Sequence, residues 1–192
     1  MKSNQQEILF RETTVMNWHN EPPIWNIQNG TIQITSTHKT DFWRKTYYNF
    51  ISDNGHFYYK QVKGDFIVEA KISGQYKDQY DQAGLMVRLD ESNWLKCGIE
   101  LIDGVLQVIV VVTHDYSDVS VVSIPQNLSS IWMRVIRQGL ALEVLYSLDG
   151  EKYTMLRMAH LTSVETVSAG VMCASPTGNG FNTTFEGFKV EN

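Results

Sequence analysis

A chain of 192 residues with 43% hydrophobic and 19% charged residues can bury a sizeable core and is not a disordered chain. Its formal charge is -5, and its lysines and arginines are scattered among acids, which argues against nucleic acid and against docking on anionic lipid. The length suits one domain over 1–192 and is large for a β-sandwich without accessories, so residues 1–30 are expected to add an edge strand or a wrapping segment.

The opening “MKSNQQEILFRETTVMNW” lacks an apolar h-region and a small-residue cleavage site. The longest apolar stretch, “VLQVIVVV” (105–112), is too short to span a bilayer. A cytoplasmic protein is therefore expected. Strand signals follow almost everywhere. “TIQITS” puts Ile32 and Ile34 on one face, and “DFIVEAKIS” puts Phe66, Val68, Ala70 and Ile72 on one side, a period of two. Asp53-Asn54-Gly55, Asp103-Gly104, Gln138-Gly139 and Asp149-Gly150 punctuate the runs, since tight hairpin turns need φ > 0 at their centre. Further runs, “GHFYYKQV”, “LQVIVVV”, “IWMRVIR”, “LALEVLYSL”, “SAGVMCA” and “TTFEGFKV” among them, bring the expected strands to ten or more. That spacing predicts an antiparallel two-sheet, all-β architecture. “LTSVETV” is read as a single helical turn, and no longer helix is expected.

The stretch “DQAGLMVRLDESNWLKCGIE” (81–100) is the most informative. Ala83, Leu85, Val87 and Leu89 share one face of the first strand, and Leu95, Cys97, Ile99 and Leu101 share one face of the next. The opposite face carries Gln82, Gly84, Met86 and Arg88, then Trp94, Lys96, Gly98 and Glu100. A four-residue loop returns the chain, so Arg88 should approach Lys96, and Glu100 should approach Gly84 or Gln82. Glycine inside a strand marks close approach of a ligand or of another backbone, so this mixed face is the candidate binding surface.

Other chemistries lack their signatures. No G-x-S-x-G elbow, H-x-H or H-E-x-x-H spacing is present, and “SPTGNGF” (175–181) leads into a strand, as a mobile loop over the sheet end would. Cys97 and Cys173 fall in strand-like runs and read as buried free thiols. “YSLDGEKY” reads as a structural hairpin in which Ser147 and Asp149 bond the turn backbone. Phe42, Phe57, Phe66, Phe185 and Phe188 are core candidates, while Trp43 and Trp94 share faces with polar residues and suit stacking on a sugar ring.

“TDFWRKTYY”, “DNGHFYY”, “YDQAGLMVRLDESNWLKCGIE”, “VVTHDYSD”, “SLDGEKY” and “TFEGFKV” together resemble the family named after yeast regulation of enolase protein 1, also known as domain of unknown function family 1349. The likeness runs from about Trp18 to the C-terminus. It implies a concanavalin A-like jelly roll of two curved antiparallel sheets, with ligands on the concave sheet. Under that implication the mixed face bearing Gln82, Arg88, Lys96 and Glu100 is the concave surface. Asp41 and Trp43, or His56 and Tyr58, alternate on strands that join it, and His114 beside “DYSD” lies at its rim. Trp18, His19 and Glu21 would cover one end. The domain appended to bacterial β-xylosidases is also similar, in its “AGL” and “F-acid-x-F” strands, and implies a structural calcium ion with Glu186 as the matching acid.

Those residues predict binding of a small carbohydrate or sugar-derived metabolite, with Arg88 and Lys96 able to select an anionic sugar such as a uronate or sugar phosphate. Two other classes stay open. A glycosidase would need paired carboxylates; the E-x-D-x-x-E glucanase run is missing, and Glu100 would have to pair with Asp41 or Asp81 across strands. A polysaccharide lyase would use His56, Tyr58 and Arg88. A protein-interaction or regulatory module, with a protein partner, would instead show a large exposed apolar patch.

Overall fold

The computed structural model describes residues 15–192, which form sixteen strands. The first five are β1 (Asn17–His19), β2 (Ile24–Gln28), β3 (Thr31–Thr35), β4 (Phe42–Arg44) and β5 (Ile51–Asp53). Next come β6 (His56–Lys63), β7 (Phe66–Gly74), β8 (Gln82–Arg88), β9 (Asn93–Ile102) and β10 (Val105–His114). The chain ends with β11 (Tyr116–Ser123), β12 (Ile131–Gln138), β13 (Ala141–Ser147), β14 (Thr154–His160), β15 (Thr166–Ala174) and β16 (Asn182–Glu191).

Two seven-stranded antiparallel sheets stack face to face, in the orders β1-β6-β15-β8-β9-β10-β11 and β14-β13-β12-β7-β16-β3-β2. Residues 17–28 thus supply β1 to an edge of the first sheet and β2 to an edge of the second; the part of the expected N-terminal segment before residue 15 lies outside the described residues. The helical turn expected at “LTSVETV” is absent: residues 161–165 form a loop and Thr166 opens β15. Among the described residues, no helix is long and apolar enough to cross a membrane.

The period-two pattern decides what lies between the sheets. Ala83, Leu85, Val87, Leu95, Cys97, Ile99, Val108, Val110 and Val112 from the first sheet meet Val68, Ala70, Ile72, Met133, Val135 and Phe185 from the second, all buried. Burying each such side chain contributes ~1.5–3 kcal/mol relative to exposure, so this slab is the main source of stability. The two cysteines are free and buried in it, and burial pushes the Cys97 thiol up to about 12. The expected structural hairpin at 147–153 forms. Asp149 Oδ1 accepts from the Glu151 and Lys152 amides at 2.8 and 2.9 Å, Gly150 takes φ +82°, and Tyr153 donates its hydroxyl to Glu69 at 3.0 Å.

The first sheet is unusual in being apolar on its other face too. Phe42, Phe57, Met86, Trp94, Ile109, Val111 and Met172 form a second buried cluster there. Its cover is the two-stranded hairpin β4–β5, which lies across the outer face instead of joining either large sheet. Phe42 packs edge-on against Trp94 at 6.3 Å, and Gly55 leaves room for the Phe42 ring, which a Cβ at that position would meet at 2.3 Å.

Polar clamps fasten this hairpin. Arg88 on β8 grips Asp53 on β5 with two bonds of 2.6 and 2.8 Å. Lys96 on β9 donates to the Phe42 carbonyl at 2.7 Å. On the far side Arg44 and Lys45 hold Asp115 at 2.7 and 2.5 Å.

Candidate functional site

The outer face of the first sheet holds both the mixed charges and the hairpin, and between them lies a groove of about 690 Å³. Gln82, Lys96 and Glu100 form its floor, and the hairpin with Asp41, Trp43, Tyr47, Tyr48 and Phe50 forms one wall. Tyr80, Pro176 and Thr177 close one end, while Asp118, Val119 and Val121 of β11 face the hairpin. The volume lies in the range of small-ligand sites, which are concave, mostly apolar and equipped with a few polar groups.

The floor follows from strand register. Gln82 stands opposite Glu100, Gly84 opposite Gly98, Met86 opposite Lys96, and Arg88 opposite Trp94. Glu100 therefore meets Gln82 as expected, whereas Arg88 sits one pair further along than Lys96. The facing glycines have a backbone reason: a Cβ on Gly98 would lie 2.1 Å from the Ala83 carbonyl oxygen, and one on Gly84 would lie 1.9 Å from that of Cys97.

Lys96 is 2% exposed and its ammonium is engaged by protein acceptors. Of its three donors, two go to the Phe42 carbonyl at 2.7 Å and Gln82 Oε1 at 2.6 Å, and the third faces Asp41 Oδ1 at 3.7 Å. Gln82 Nε2 in turn reaches Asp41 Oδ1 at 3.3 Å, the Tyr80 carbonyl at 3.2 Å and Glu100 Oε1 at 3.5 Å. One amide nitrogen thus touches both carboxylates. Among the described residues the contacts to the Asp41 carboxylate fall on Oδ1, from Gln82, Lys96 and the Phe42 amide, and Oδ2 takes none.

Glu100 differs from Asp41. Its one hydrogen bond among the described residues is the long one to Gln82. Desolvation pushes its carboxyl up to about 7, partly opposed by Lys96 and reinforced by Asp41. Above it, the Tyr48 and Tyr80 hydroxyls bond one another at 3.0 Å. That bond, burial and neighbouring negative charge, that of Glu100 included, drive Tyr48 up to about 12. Tyr47 and Tyr80 hold left-handed backbone, φ +63° and +69°, which costs energy outside glycine and tends to collect at functional sites.

Several expected site residues lie elsewhere. Arg88 is on the correct face but its guanidinium is bound bidentately by Asp53, so it braces the hairpin. Trp94 is completely buried beneath Phe42 and donates to the Glu91 carbonyl at 3.3 Å, so it cannot stack on a ligand. His56 and Tyr58 face the other sheet. His56 accepts from the Thr37 amide at 3.1 Å and contacts the Asn20 carbonyl at 2.6 Å through its other nitrogen, while Tyr58 packs on Trp18. Burial lowers the affinity of His56 for a proton, as suits a structural imidazole. His114 shares the parity of the core valines and lies beside His160 at the end of β10, away from the groove.

Asp81 is spent in holding its own loop, accepting from the Lys77 and Asp78 amides and the Ser175 hydroxyl. The 175–181 segment is correspondingly tied down, with Thr177 donating to the Gln79 carbonyl at 2.5 Å and His38 bonded to the Gly178 carbonyl at 2.7 Å. Glu186 pairs with Lys71 at 3.1 Å on the second sheet, and among the described residues no group of three or more His, Cys, Asp or Glu side chains gathers to hold a metal. Of the sequence candidates, then, Asp41, Trp43, Gln82, Lys96 and Glu100 converge. Tyr48, Phe50 and Tyr80 join them from loops; the aromatic density of “KTYYNF” (45–50) is a sequence signal for the first two, and Tyr80 has none.

Two stacked antiparallel sheets with this outer-face groove define a concanavalin A-like jelly-roll sandwich. Solved structures with that fold include the GH43 protein BlXynB (K247S mutant) of Bacillus licheniformis, with 14% identity, a TM-score of 0.74 and coverage of 95% of this chain and 38% of that one. The carbohydrate binding module CBM66 of Bacillus subtilis is another, with 15% identity, a TM-score of 0.53 and coverage of 83% and 95%. The chain belongs to the family described as “Protein of unknown function (DUF1349)”, whose pattern matches residues 18–192. It is 34% identical over 168 residues to “Regulation of enolase protein 1” of Saccharomyces cerevisiae, spanning 88% of this chain and 85% of that protein. The crystal structure of a functionally unknown protein from Saccharomyces cerevisiae superposes with a TM-score of 0.87 at 32% identity, covering 91% and 95%.

Proposed function

We propose that the groove binds a small carbohydrate or sugar-derived polyol. The observation that carries this reading is the Asp41–Gln82–Lys96–Glu100 floor beneath the aromatic wall of Trp43, Tyr48 and Phe50. Carboxylate and amide oxygens accept from ring hydroxyls, and aromatic faces pack on the apolar C–H faces of a sugar. The carbohydrate-binding and glycoside-hydrolase neighbours of the fold support it by analogy, which is a weaker ground than the site itself. An anionic sugar is disfavoured, because Arg88 and Lys96 are already committed to protein acceptors and Glu100, without a cation among the described residues, would repel it.

Calorimetric titration with neutral monosaccharides and short oligosaccharides tests the proposal. Binding that weakens at least tenfold in Asp41→Asn or Tyr48→Ala supports it; equal affinities in all three proteins remove its basis. A hydrolytic reading rests on one observation, a carboxyl raised to about 7 beside a second carboxylate. Release of chromophore from aryl glycosides, abolished by Glu100→Gln, would establish it. A protein partner would use the exposed apolar hairpin tip, where Tyr47 is 92% exposed and Phe50 and Ile51 follow it.

A further inference from the structure

The charge balance of the groove floor is uneven. Asp41 is compensated by Lys96, whose ammonium bonds the Phe42 carbonyl and Gln82, while among the described residues Glu100 has no cation of its own. Among the described residues its one hydrogen bond is the long one from Gln82. The remaining charged and titratable groups facing the groove do not alter this. Asp118 on β11 is paired with Arg157 at 3.3 Å, Tyr48 and Tyr80 bond each other, and Tyr47 at the rim is solvent-exposed. The wall over Glu100 is aromatic, and aromatic faces attract cations through their negative quadrupole. A neutral ring can offer Glu100 hydroxyl donors but no balancing charge, and an acidic ring would add like charge.

Resting on the carbohydrate-binding reading above, we propose that the groove selects an amino sugar, a ring-sized polyol carrying a protonated amine, with Glu100 as the partner of the ammonium. The amine donates to Glu100, ring hydroxyls donate to Asp41 Oδ2, and the ring face lies against Trp43 and Tyr48. Lys96 and Gln82 hold the two carboxylates apart and in place. The cation also takes over the role of the proton that Glu100 carries near neutral pH, so binding expels that proton.

The test is titration calorimetry of the whole chain with D-glucosamine, N-acetyl-D-glucosamine, D-glucose and D-glucuronate. Glucosamine should bind about tenfold or more tighter than the acetylated and neutral sugars, the difference expected of a charge-assisted bond over a neutral one. Glu100→Gln should erase that preference. In the unmodified protein at pH 6, repeating the titration in two buffers of different ionisation heat should give release of close to one proton per glucosamine, a readout that needs no variant to fold. Glucose or N-acetylglucosamine binding as tightly as glucosamine would overturn the amine assignment and leave sugar binding standing. A glucosamine preference that survives in Glu100→Gln would overturn the role given to Glu100. Absence of binding by all four sugars would overturn both readings together.

Discussion

Replacing Lys96 with methionine tests whether the site and the hairpin share one structural element. Methionine keeps most of the volume, so the change isolates the ammonium. Three groups lose their partner at once: the Phe42 carbonyl, Gln82 Oε1 and the Asp41 carboxylate. Removing one member of a buried ion pair typically costs ~3–5 kcal/mol, because the remaining charge is left uncompensated. Lys96 and Asp41 side chains are 3% and 14% exposed, so solvent can recover little of that. At this chain length the loss corresponds to a fall of roughly 10 °C in Tm. Urea unfolding gives the free energy, and limited proteolysis reports whether β4–β5 has lifted from the sheet. Asp41→Asn added to Lys96→Met should restore part of the loss, a coupling of about 1–3 kcal/mol. A cost below about 1 kcal/mol for Lys96→Met, with the hairpin still protected, would refute the claim that this lysine pins it.

Glu100 binds its proton more tightly folded than unfolded, so between about pH 4.5 and 7 the native state holds more protons and stability falls as pH rises. Urea midpoints at pH 5 and 8 should therefore diverge in the unmodified protein, and Glu100→Gln should stabilise it at pH 8 by roughly 1–3 kcal/mol. Asp53 shows the opposite sign. Burial would raise its pKa, but hydrogen bonds from His19 and Arg88 outweigh that and lower it. Its contribution is present above the ordinary carboxylate range and is lost as pH falls through the depressed value. Asp53→Asn should thus weaken the fold by about 1.5–3 kcal/mol at pH 7, and by progressively less as the pH falls below the ordinary carboxylate range. Gly98→Ala should fail to give a cooperative thermal transition, since its methyl would overlap the Ala83 carbonyl; a normal transition would contradict the tight approach of β8 and β9.

The face assignment over 82–101 was legible because one side is uninterrupted aliphatic and the other is not. What the charges do was not legible, because alternation says which residues share a face and nothing about what lies upon it. Arg88 and Lys96 read as ligand donors only while their acceptors, Asp53 and the Phe42 carbonyl, are unseen; these stand 35 and 54 residues earlier on the overlying hairpin. In β6, aromatics fall on both faces, so “HFYY” gives no phase. Val62, buried and of the same parity as Tyr58, was the residue that could have set it. In β10 both faces are valine and isoleucine, since one meets the core and the other meets the second cluster. The phase of His114 was therefore hidden as well. Tyr48 and Tyr80 were missed for a different reason: they enter from loops, Tyr80 in left-handed backbone, where no period applies.

The hairpin divides into a stem and a tip with different obligations. Phe42, Asp53 and Arg44 are fastened to the sheet, whereas Tyr47, with almost all of its surface in solvent, carries little of the fold. Under the binding reading proposed above, ligand preference can be rewritten at the tip, by changing Tyr47 or Phe50, with little cost to the fold. On the same reading, a change in the stem would alter selectivity and folding together. Directed variation of this groove has a safe end and a forbidden end, barely five residues apart.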